Sequence, residues 1–386
     1  MKKIPLMKNT FYQEKYTKKK LCDFIKKKSK LSMGEKVSEF ENKISSFHGI
    51  KYSTVVNSGS SANLILIQSL LNLGYIKKGD QIAFSAVTWS TNLMPIIQLG
   101  LKPIPIDIDI KNLNICTNAL EKSVKKNNIK VLFLTNALGF SSNIKELIKI
   151  IKKNKIILIE DNCESLGSIS ENKKLGTLGL ASTNSYYVGH HISTIEGGSI
   201  NTDNEKLNNM FKLVRAHGWN RDSNIYKKKK SFIKKFYDKY TFYDLAYNLR
   251  ASEIVGFLGC IQMNFLEEII KIREKNFKLI YKIYQKNNDF LKLDLSHMNV
   301  ISNFAFPIIC KNNKLLKKYV SLFMKNDVEI RPLIAGNITL QPFFKKYIKT
   351  RFNLPNSTLI HKNAFYIPNH PDLSRNDIKR MTDILS

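Results

Sequence analysis

The chain has 386 residues, of which 43% are hydrophobic, and 62 Lys and Arg against 31 Asp and Glu give a formal net charge of +31. This length and composition indicate a globular protein with room for a large domain and a smaller one, and exclude a disordered chain. Only eight of the basic residues are Arg, and the lysines occur among Ile and Asn throughout. The charge therefore indicates biased composition rather than a phosphate-reading surface, and we expect no nucleic-acid partner, although a basic field would steer an anionic substrate.

The cysteines point to a reducing compartment. Five isolated cysteines show no CxxC or CxC spacing: Cys22, Cys116, Cys163, Cys260 and Cys310. Such spacing favours free thiols over a disulfide framework or an iron–sulfur cluster.

The N-terminus has no apolar segment of export length, and no apolar run is long enough to span a membrane. We expect a cytoplasmic protein that does not insert into membranes.

The first part of the chain alternates strand and helix patterns. A helical stretch at Glu35–Ser46 comes first. Predicted strands follow at Ser53–Val56, Gln81–Ser85, Lys102–Ile108, Lys130–Thr135 and Lys155–Glu160. Predicted helices between them are Ser61–Leu73, Thr91–Leu99, Ala119–Lys125 and Asn143–Lys153. This order predicts an α/β fold with a mostly parallel sheet covered on both faces, and a ligand site beyond the carboxyl ends of the strands.

The later part of the chain predicts a second, smaller α/β domain. The lysine- and aromatic-rich segment 226–240 indicates a solvated, mobile insertion, with a substrate flap as the alternative. Ile261–Gln285 has the pattern of one long amphipathic helix. The remaining predicted elements are strands at Val300–Cys310 and Val328–Leu333 and helices at Leu315–Lys325 and Arg375–Leu385. We therefore expect a large domain at residues 1–260 and a small one at 261–386.

Two motifs near predicted strand ends have polar residues that suit an anion and a cation. Asn57–Asn63 reads Asn-Ser-Gly-Ser-Ser-Ala-Asn, follows a strand and opens a helix. Its N–H groups and hydroxyls could hold a phosphate, or the motif could be only a serine-capped helix. Asp161 lies near the end of another strand, where a carboxylate could pair with a pyridinium nitrogen or have a structural role.

The segment Ser185–Gly198 is the most informative, because it contains no lysine in a lysine-rich chain. It places His190 five residues after Ser185 and six before Glu196. An imidazole can move protons near neutral pH. The alternatives are a polar loop residue or a zinc ligand, but His217 and His370 complete no recognisable zinc motif. The segment alone leaves these roles of His190 open, and we expect its neighbour His191 to be structural.

Taken together, the motifs resemble the DegT/DnrJ/EryC1/StrS sugar aminotransferase family over nearly the whole chain. In that family a lysine that tethers pyridoxal phosphate stands where this chain has His190, and the resemblance implies that His190 is catalytic. The resemblance implies a fold-type-I, aspartate-aminotransferase-like architecture with a seven-stranded sheet in the large domain. It implies that Gly59, Ser60, Ser61 and Ser185 bind the cofactor phosphate, Trp89 stacks on the pyridine ring, Asp161 pairs with its nitrogen, and Glu164 approaches its 3-hydroxyl. It also implies a homodimer in which Asn248 reaches the phosphate of the neighbouring subunit.

Within the family, four segments are similar to the sugar 3-dehydratases: the His190 segment, Arg215–Trp219, Arg331–Asn337 and Phe365–His370. This similarity implies an enzyme that uses pyridoxal 5′-phosphate and pyridoxamine 5′-phosphate, with L-glutamate as the amino donor. The expected reaction removes the C3 hydroxyl of a nucleotide-linked 4-keto-6-deoxy sugar and yields ammonia and a 4-keto-3,6-dideoxy sugar, such as the colitose precursor of lipopolysaccharide O-antigen. One branch of these enzymes has clustered cysteines for an iron–sulfur centre, which this chain lacks.

Several assignments stay open at the level of sequence. His217 is a candidate for the sugar site, and Arg250 and Arg331 are candidates for binding the donor carboxylate or the nucleotide phosphates, since guanidinium binds oxyanions in a bidentate way. No metal is expected. The nucleotide could be GDP or CDP. An ordinary sugar aminotransferase and a catalytically degenerate binding or scaffold protein are the alternative functions.

Overall fold

The computed structural model describes residues 2–219, 236 and 240–386. The predicted insertion at 226–240 lies outside the described residues except for Phe236 and Tyr240. In the described part, the helices are α1 Glu14–Lys27, α2 Glu35–His48, α3 Gly59–Asn72, α4 Met94–Gln98, α5 Thr117–Lys126, α6 Ile144–Lys153, α7 Glu205–Arg215, α8 Glu253–Met263, α9 Leu266–Tyr284, α10 Asn313–Lys325, α11 Pro342–Tyr347, α12 Pro355–Asn363 and α13 Arg375–Leu385. The strands are β1 Tyr52–Val56, β2 Gln81–Ser85, β3 Lys102–Ile106, β4 Ile108–Asp109, β5 Asn114–Ile115, β6 Ile129–Thr135, β7 Ile157–Asp161, β8 Ile169–Ser170, β9 Lys173–Lys174, β10 Ala181–Ser185, β11 Gly198–Thr202, β12 Met298–Val300, β13 Phe306–Ile309, β14 Arg331–Pro332 and β15 Ala364–Ile367.

A seven-stranded sheet in the order β1-β11-β10-β7-β6-β2-β3 organises the larger part of the molecule. Neighbouring strands from β10 to β3 are parallel, and β11 is antiparallel to both β1 and β10. The apolar runs of β2 and β6 are buried, as expected for a sheet covered by helices on both faces. The predicted α/β fold with a mostly parallel sheet is confirmed, and the carboxyl ends of β7 and β10 lie side by side.

Two strands of this sheet are absent from the sequence prediction. β10 reads Ala-Ser-Thr-Asn-Ser and β11 reads Gly-Ser-Ile-Asn-Thr, and both are buried despite their polar side chains. The buried amides satisfy one another: Asn201 donates to Asn184 over 2.7 Å and accepts from Ser53 over 2.8 Å. A search for apolar runs cannot detect such strands, because hydrogen bonds rather than hydrophobic side chains fill this part of the interior.

The C-terminal part has a three-stranded antiparallel sheet in the order β13-β15-β14. The predicted single helix Ile261–Gln285 is wrong, because α8 ends at Met263 and α9 begins at Leu266. The predicted strand Val300–Cys310 is also wrong in its middle, since residues between β12 and β13 form no strand. Only Arg331–Pro332 of the predicted strand Val328–Leu333 pairs in a sheet. The two-domain division at residue 260 stays a prediction.

The loop between β12 and β13 brings the C-terminal part against the large sheet. Phe140, after β6, packs edge-on against Phe277 of α9 with ring centroids 5.7 Å apart. Gly139 has a φ of +91°, and a Cβ there would lie 2.6 Å from the Ser302 carbonyl oxygen. Only glycine permits this approach. No helix among the described residues combines the length and the apolar character needed to span a bilayer.

Candidate active site

Asp161, the last residue of β7, is buried and held by three hydrogen bonds. Its Oδ2 accepts from Asn63 Nδ2 at 3.1 Å and from Asn92 Nδ2 at 2.7 Å. Its Oδ1 accepts from the Cys163 backbone N–H at 2.9 Å. A carboxylate with this many donors is fixed in position. It is suited to pair with a cation at the sheet edge.

The two asparagines that hold Asp161 are themselves fixed. Thr183 donates to the Oδ1 of Asn63 at 2.7 Å, and Thr88 donates to the Oδ1 of Asn92 at 3.0 Å. Because their carbonyl oxygens accept these bonds, both amides must turn their Nδ2 donors toward Asp161. Sequence reasoning did not assign this role to Asn63 or Asn92. Asn63 lies within the segment Asn57–Asn63, which we call the serine-rich motif. No sequence feature points to Asn92 except that it stands three residues after Trp89.

The serine-rich motif forms both a helix cap and a close contact with Ser185. Ser58 is the N-cap of α3, and its Oγ accepts from the Ser61 N–H at 3.1 Å. The cap interpretation is therefore correct, but it does not exclude an anion site. A Cβ on Gly59 would lie 2.6 Å from the Ser185 Cβ, so the Ser185 side chain lies directly over the start of the helix. The glycine thus brings the Ser185 hydroxyl to a helix N-terminus, where anions are stabilised. Ser60 is exposed beside it.

Trp89 presents a large exposed surface. Its side chain is 56% exposed, although tryptophan usually buries much of its ring. The residue immediately precedes the 3₁₀ turn Ser90–Asn92, whose last residue binds Asp161. An exposed aromatic surface is suited to stack against a planar ring.

Glu160 and Glu164 flank Asp161 in the sequence but differ in their surroundings. Glu160 is completely buried, and it accepts from the N–H groups of Gly176, Leu178 and Gly179 and from the Asn136 amide. It therefore holds the loop after β9. Glu164 has a single backbone donor, the Leu138 N–H at 2.8 Å. Burial, reinforced by the nearby charge of Asp161, raises the pKa of Glu164 to about 8.

His190 is partly buried in the segment that follows β10. Its backbone N–H donates to the Tyr187 backbone carbonyl at 2.9 Å, and its ring centroid lies 5.2 Å from that of Phe304. Its Nδ1 is buried without a hydrogen-bond partner among the described residues. Burial and, to a smaller extent, Arg273 lower the pKa of His190 to about 4, while Asp161 and the Cys163 backbone act in the opposite direction. The ring is therefore neutral at pH 7 and able to accept a proton.

His191, the neighbour of His190, is buried and 4% exposed. Its Nε2 is 2.8 Å from the Ser302 carbonyl oxygen, so this nitrogen donates and the side chain connects the segment to the loop before β13. This contact agrees with the structural role expected of His191.

The remaining predicted residues lie outside this cluster of contacts. Asn248 and Arg250 are exposed and contact each other, with Arg250 Nε donating to Asn248 Oδ1 at 3.2 Å. The Leu249 carbonyl between them accepts from the Asn57 N–H at 3.1 Å, so both lie near the serine-rich motif. His217 is exposed in a turn at φ +62°. Arg331 is exposed and paired with Glu329 at 2.9 Å.

The described residues fit the phosphorylated pyridine cofactor that the sequence predicted. The Ser185 hydroxyl at the start of α3 suits a phosphate, the fixed carboxylate of Asp161 suits a protonated ring nitrogen, and the Trp89 surface suits the ring face. The site differs in one respect from that of an enzyme that binds this cofactor covalently through a lysine. The residue five positions after Ser185 has an imidazole side chain rather than an amine.

Comparisons with known proteins agree with this arrangement. A model of the DegT/DnrJ/EryC1/StrS aminotransferase family matches residues 13–386. GDP-4-keto-6-deoxy-D-mannose 3-dehydratase of Escherichia coli O55:H7 is 35% identical, with 92% of each chain covered. A solved structure of GDP-4-keto-6-deoxymannose-3-dehydratase with a trapped PLP-glutamate geminal diamine superposes with a TM-score of 0.89, covering 99% of this chain and 100% of that chain at 31% identity. A histidine-to-asparagine variant of that enzyme with bound GDP-perosamine gives the same TM-score, coverage and identity.

Proposed function

We propose that this chain, which belongs to the DegT/DnrJ/EryC1/StrS aminotransferase family, is a PLP-dependent 3-dehydratase of a nucleotide-linked 4-keto-6-deoxy sugar. The observation that carries the proposal is the partly buried imidazole of His190, five residues after Ser185, at the position where the family resemblance places a lysine. The 35% identical relative acts on a GDP-linked sugar, and we extend that substrate to this chain. The structural relative trapped with a PLP-glutamate adduct supports L-glutamate as the amino donor.

Each part of the site has a role in holding the cofactor. Asp161 would bind the ring nitrogen, and Trp89 would stack on the ring. Ser185, with Gly59, Ser60 and Ser61 at the start of α3, would bind the phosphate. Glu164, whose raised pKa keeps it protonated at pH 7, would donate a hydrogen bond to the 3-oxygen. When bound, the cofactor supplies an amine for the C4 keto group and a conjugated ring that takes up electrons.

His190 would move the proton. As a neutral imidazole it would accept a proton from the C4′ carbon of the bound cofactor. The same nitrogen would then return the proton to the C3 oxygen of the sugar as that oxygen leaves as water. A lysine here would also compete for the cofactor covalently and favour amine transfer. Without a lysine at this position, the bound sugar would lose its C3 oxygen instead of gaining nitrogen. Hydrolysis of the released product would then yield ammonia.

The homodimer and the cytoplasmic location remain parts of the proposal. Asn248 and Arg250 are exposed next to the serine-rich motif, where a second subunit could bring further groups to the phosphate. Light scattering of the purified protein tests the dimer, and Asn248→Ala should weaken cofactor binding only if the dimer forms. All five cysteines are free, which supports a reducing location.

Product analysis tests the reaction directly. The protein is incubated with GDP-4-keto-6-deoxymannose, L-glutamate and PLP, and the sugar product and ammonia are measured. We expect a 4-keto-3,6-dideoxy sugar with one ammonia per sugar. A stable 4-amino sugar would identify an aminotransferase, and failure to take up PLP would identify a degenerate binding protein. The CDP-linked sugar serves as the comparison for nucleotide preference.

A further inference from the structure

A small cavity lies beside His190, on the side formed by the N-terminal segment and α9. It encloses about 30 Å³. We call it the histidine cavity, and the lining residues that matter here are His190, His191, Arg273 and His370. The last three side chains are buried, with exposures of 4%, 2% and 6% respectively. A polar cavity of this size has room for one water molecule or a pair.

Each of these four residues has one buried ring or guanidinium nitrogen that lacks a hydrogen-bond partner among the described residues. The atoms are Nδ1 of His190, His191 and His370, and Nε of Arg273. An unpaired buried polar group is costly, and most are satisfied by protein or ordered water. All four residues line the same cavity, and one occupant bonded to all four atoms is the simplest way to satisfy them.

The protonation of two of the histidines follows from their other contacts. Nε2 of His191 faces the Ser302 carbonyl at 2.8 Å, and Nε2 of His370 faces the Pro5 carbonyl at 3.1 Å. A carbonyl can only accept, so both Nε2 atoms carry hydrogen, and in a neutral ring Nδ1 is then an acceptor. Burial and the charge of Arg273 lower the pKa of His370 to about 4 and that of His191 well below its usual value. Both rings are therefore neutral at pH 7.

The occupant must give two hydrogens and accept at least one. The two histidine acceptors need donors, and the Arg273 Nε–H needs an acceptor. An anion has no hydrogen to give to His191 and His370, and a metal cation or ammonium ion would face the charge of Arg273. A water molecule has two donors and two lone pairs. Its remaining lone pair is left for Nδ1 of His190, which must then donate.

We propose that ordered water in the histidine cavity fixes the proton of His190 on Nδ1. His190 then presents Nε2 with the free lone pair that a base requires. This inference rests on the proposed function for the role of His190, but the water and the tautomer are properties of the cofactor-free protein. The hydrogen bond made by one ring nitrogen of a histidine commonly determines whether the other nitrogen is free to act as a base. Here a water held by Arg273, His191 and His370 takes the place of the usual carboxylate.

Arg273 is well placed to hold both the water and the backbone. Its guanidinium donates to the carbonyls of Asn303, Phe304 and Asn369, and its Nη2 lies 3.5 Å from the His190 carbonyl oxygen. Phe304 in turn packs against the His190 ring. The other groups that face His190 include Asp161 and the Cys163 backbone on the sheet side, and Tyr187 in its own segment. Lys8, Tyr12 and Asp372 lie along the cavity wall.

The test compares two substitutions of His370. A glutamine places its amide near Nε2, so His370→Gln keeps the bond to Pro5 and removes the acceptor for water. An asparagine reaches only the Nδ1 position, so His370→Asn keeps an acceptor and loses the bond to Pro5. His297→Gln is the matched control, because Nε2 of His297 also faces a carbonyl, that of Ser141 at 2.9 Å, but the residue does not line the cavity.

The first readout is the ¹⁵N spectrum of histidine-labelled, cofactor-free protein, with the His190 signals assigned from His190→Asn. We expect the wild type, His370→Asn and His297→Gln to carry the proton on Nδ1 at pH 7, and His370→Gln to show a mixture of tautomers. In the holoenzyme, His370→Gln should lower kcat about three- to tenfold with KM unchanged, the effect of one lost hydrogen bond. If His370→Gln does not fold, His191→Gln makes the same comparison.

Three results would overturn the inference: a wild-type His190 protonated on Nε2, an unchanged tautomer in His370→Gln, or a crystal structure whose cavity contains an anion or no ordered solvent. A bromide soak distinguishes an anion from water by its anomalous signal. A failed dehydration assay together with an Nδ1 proton and ordered water would instead contradict only the proposed function.

Discussion

Asp161 and His190 belong to one candidate site, but the protein holds them in opposite ways. Asp161 accepts three hydrogen bonds, and the amides that donate two of them are themselves anchored. His190 has ring contacts with Phe304 and Tyr187, and its Nδ1 has no partner among the described residues. The residue proposed to bind the cofactor is fixed by hydrogen-bond donors, whereas the residue proposed to gain and lose a proton is placed mainly by packing. The difference suggests which substitutions affect binding and which affect chemistry.

The largest expected effect is on His190. His190→Asn should lower the rate of dehydration by about 10²- to 10⁴-fold, the usual contribution of a general base. Because the ring forms few hydrogen bonds, the melting temperature and the PLP absorbance should change little. Stopped-flow or product assays measure the rate, and calorimetry measures the melting temperature. A large loss of stability would mean that His190 is mainly structural.

His190→Lys sharpens the same comparison. The new amine should produce the absorbance of covalently bound PLP and abolish dehydration. Retained deoxygenation in this variant would contradict the role assigned to the imidazole.

The next effect concerns the phosphate end of the site. Gly59→Ala would place a Cβ 2.6 Å from that of Ser185, and the resulting strain should cost about 1–3 kcal/mol. We expect PLP to bind roughly ten- to a hundredfold more weakly, since each tenfold is about 1.4 kcal/mol. Gly189→Ala is the matched control, because its Cβ would meet no atom closer than 3.9 Å. Equal PLP affinities for the two variants, measured by fluorescence titration, would contradict a phosphate site here.

A smaller effect is expected from one of the donors to Asp161. Asn92→Ala removes the 2.7 Å bond to Asp161, and losing a hydrogen bond to a charged group costs about 1–3 kcal/mol. Thr88 keeps its 2.7 Å contact with Thr135, so the loss is confined to the carboxylate. We expect weaker PLP binding and a lower kcat, with Asn154→Ala, an exposed amide, as the control. An Asn92→Ala protein with wild-type affinity would show that Asp161 does not depend on this donor.

The position of the site could be predicted from the sequence, but the residues that hold His190 in place could not. The serine-rich motif, Asp161 and His190 stand in segments whose local order identifies them. Phe304 and Arg273, which pack on His190, are about a hundred residues away, and no local pattern relates them to it. The same limit applies to β10 and β11, where buried Asn184 and Asn201 replace the apolar side chains that reveal a strand. Apolar patterns predict the core where hydrophobic burial dominates, and they fail where paired polar groups fill it.

The smallest expected effect is on stability and depends on pH. The pKa of Glu164 is raised by burial to about 8 in the folded cofactor-free protein, whereas an unfolded glutamate titrates near its usual 4.5. Between these values the folded state binds more protons than the unfolded state, so this group makes stability fall as pH rises, with no further change above pH 8. Buried His190 acts oppositely between about pH 4 and 6.5, because there the unfolded state binds more protons. The contribution of Glu164 is therefore clearest from pH 6.5 to 8.

Glu164→Gln should remove this pH-dependent contribution. The melting temperature of the variant minus that of the wild type should therefore increase from pH 6.5 to 8. A difference that stays constant with pH would mean that Glu164 is already ionised at pH 6.5 and does not donate to the cofactor.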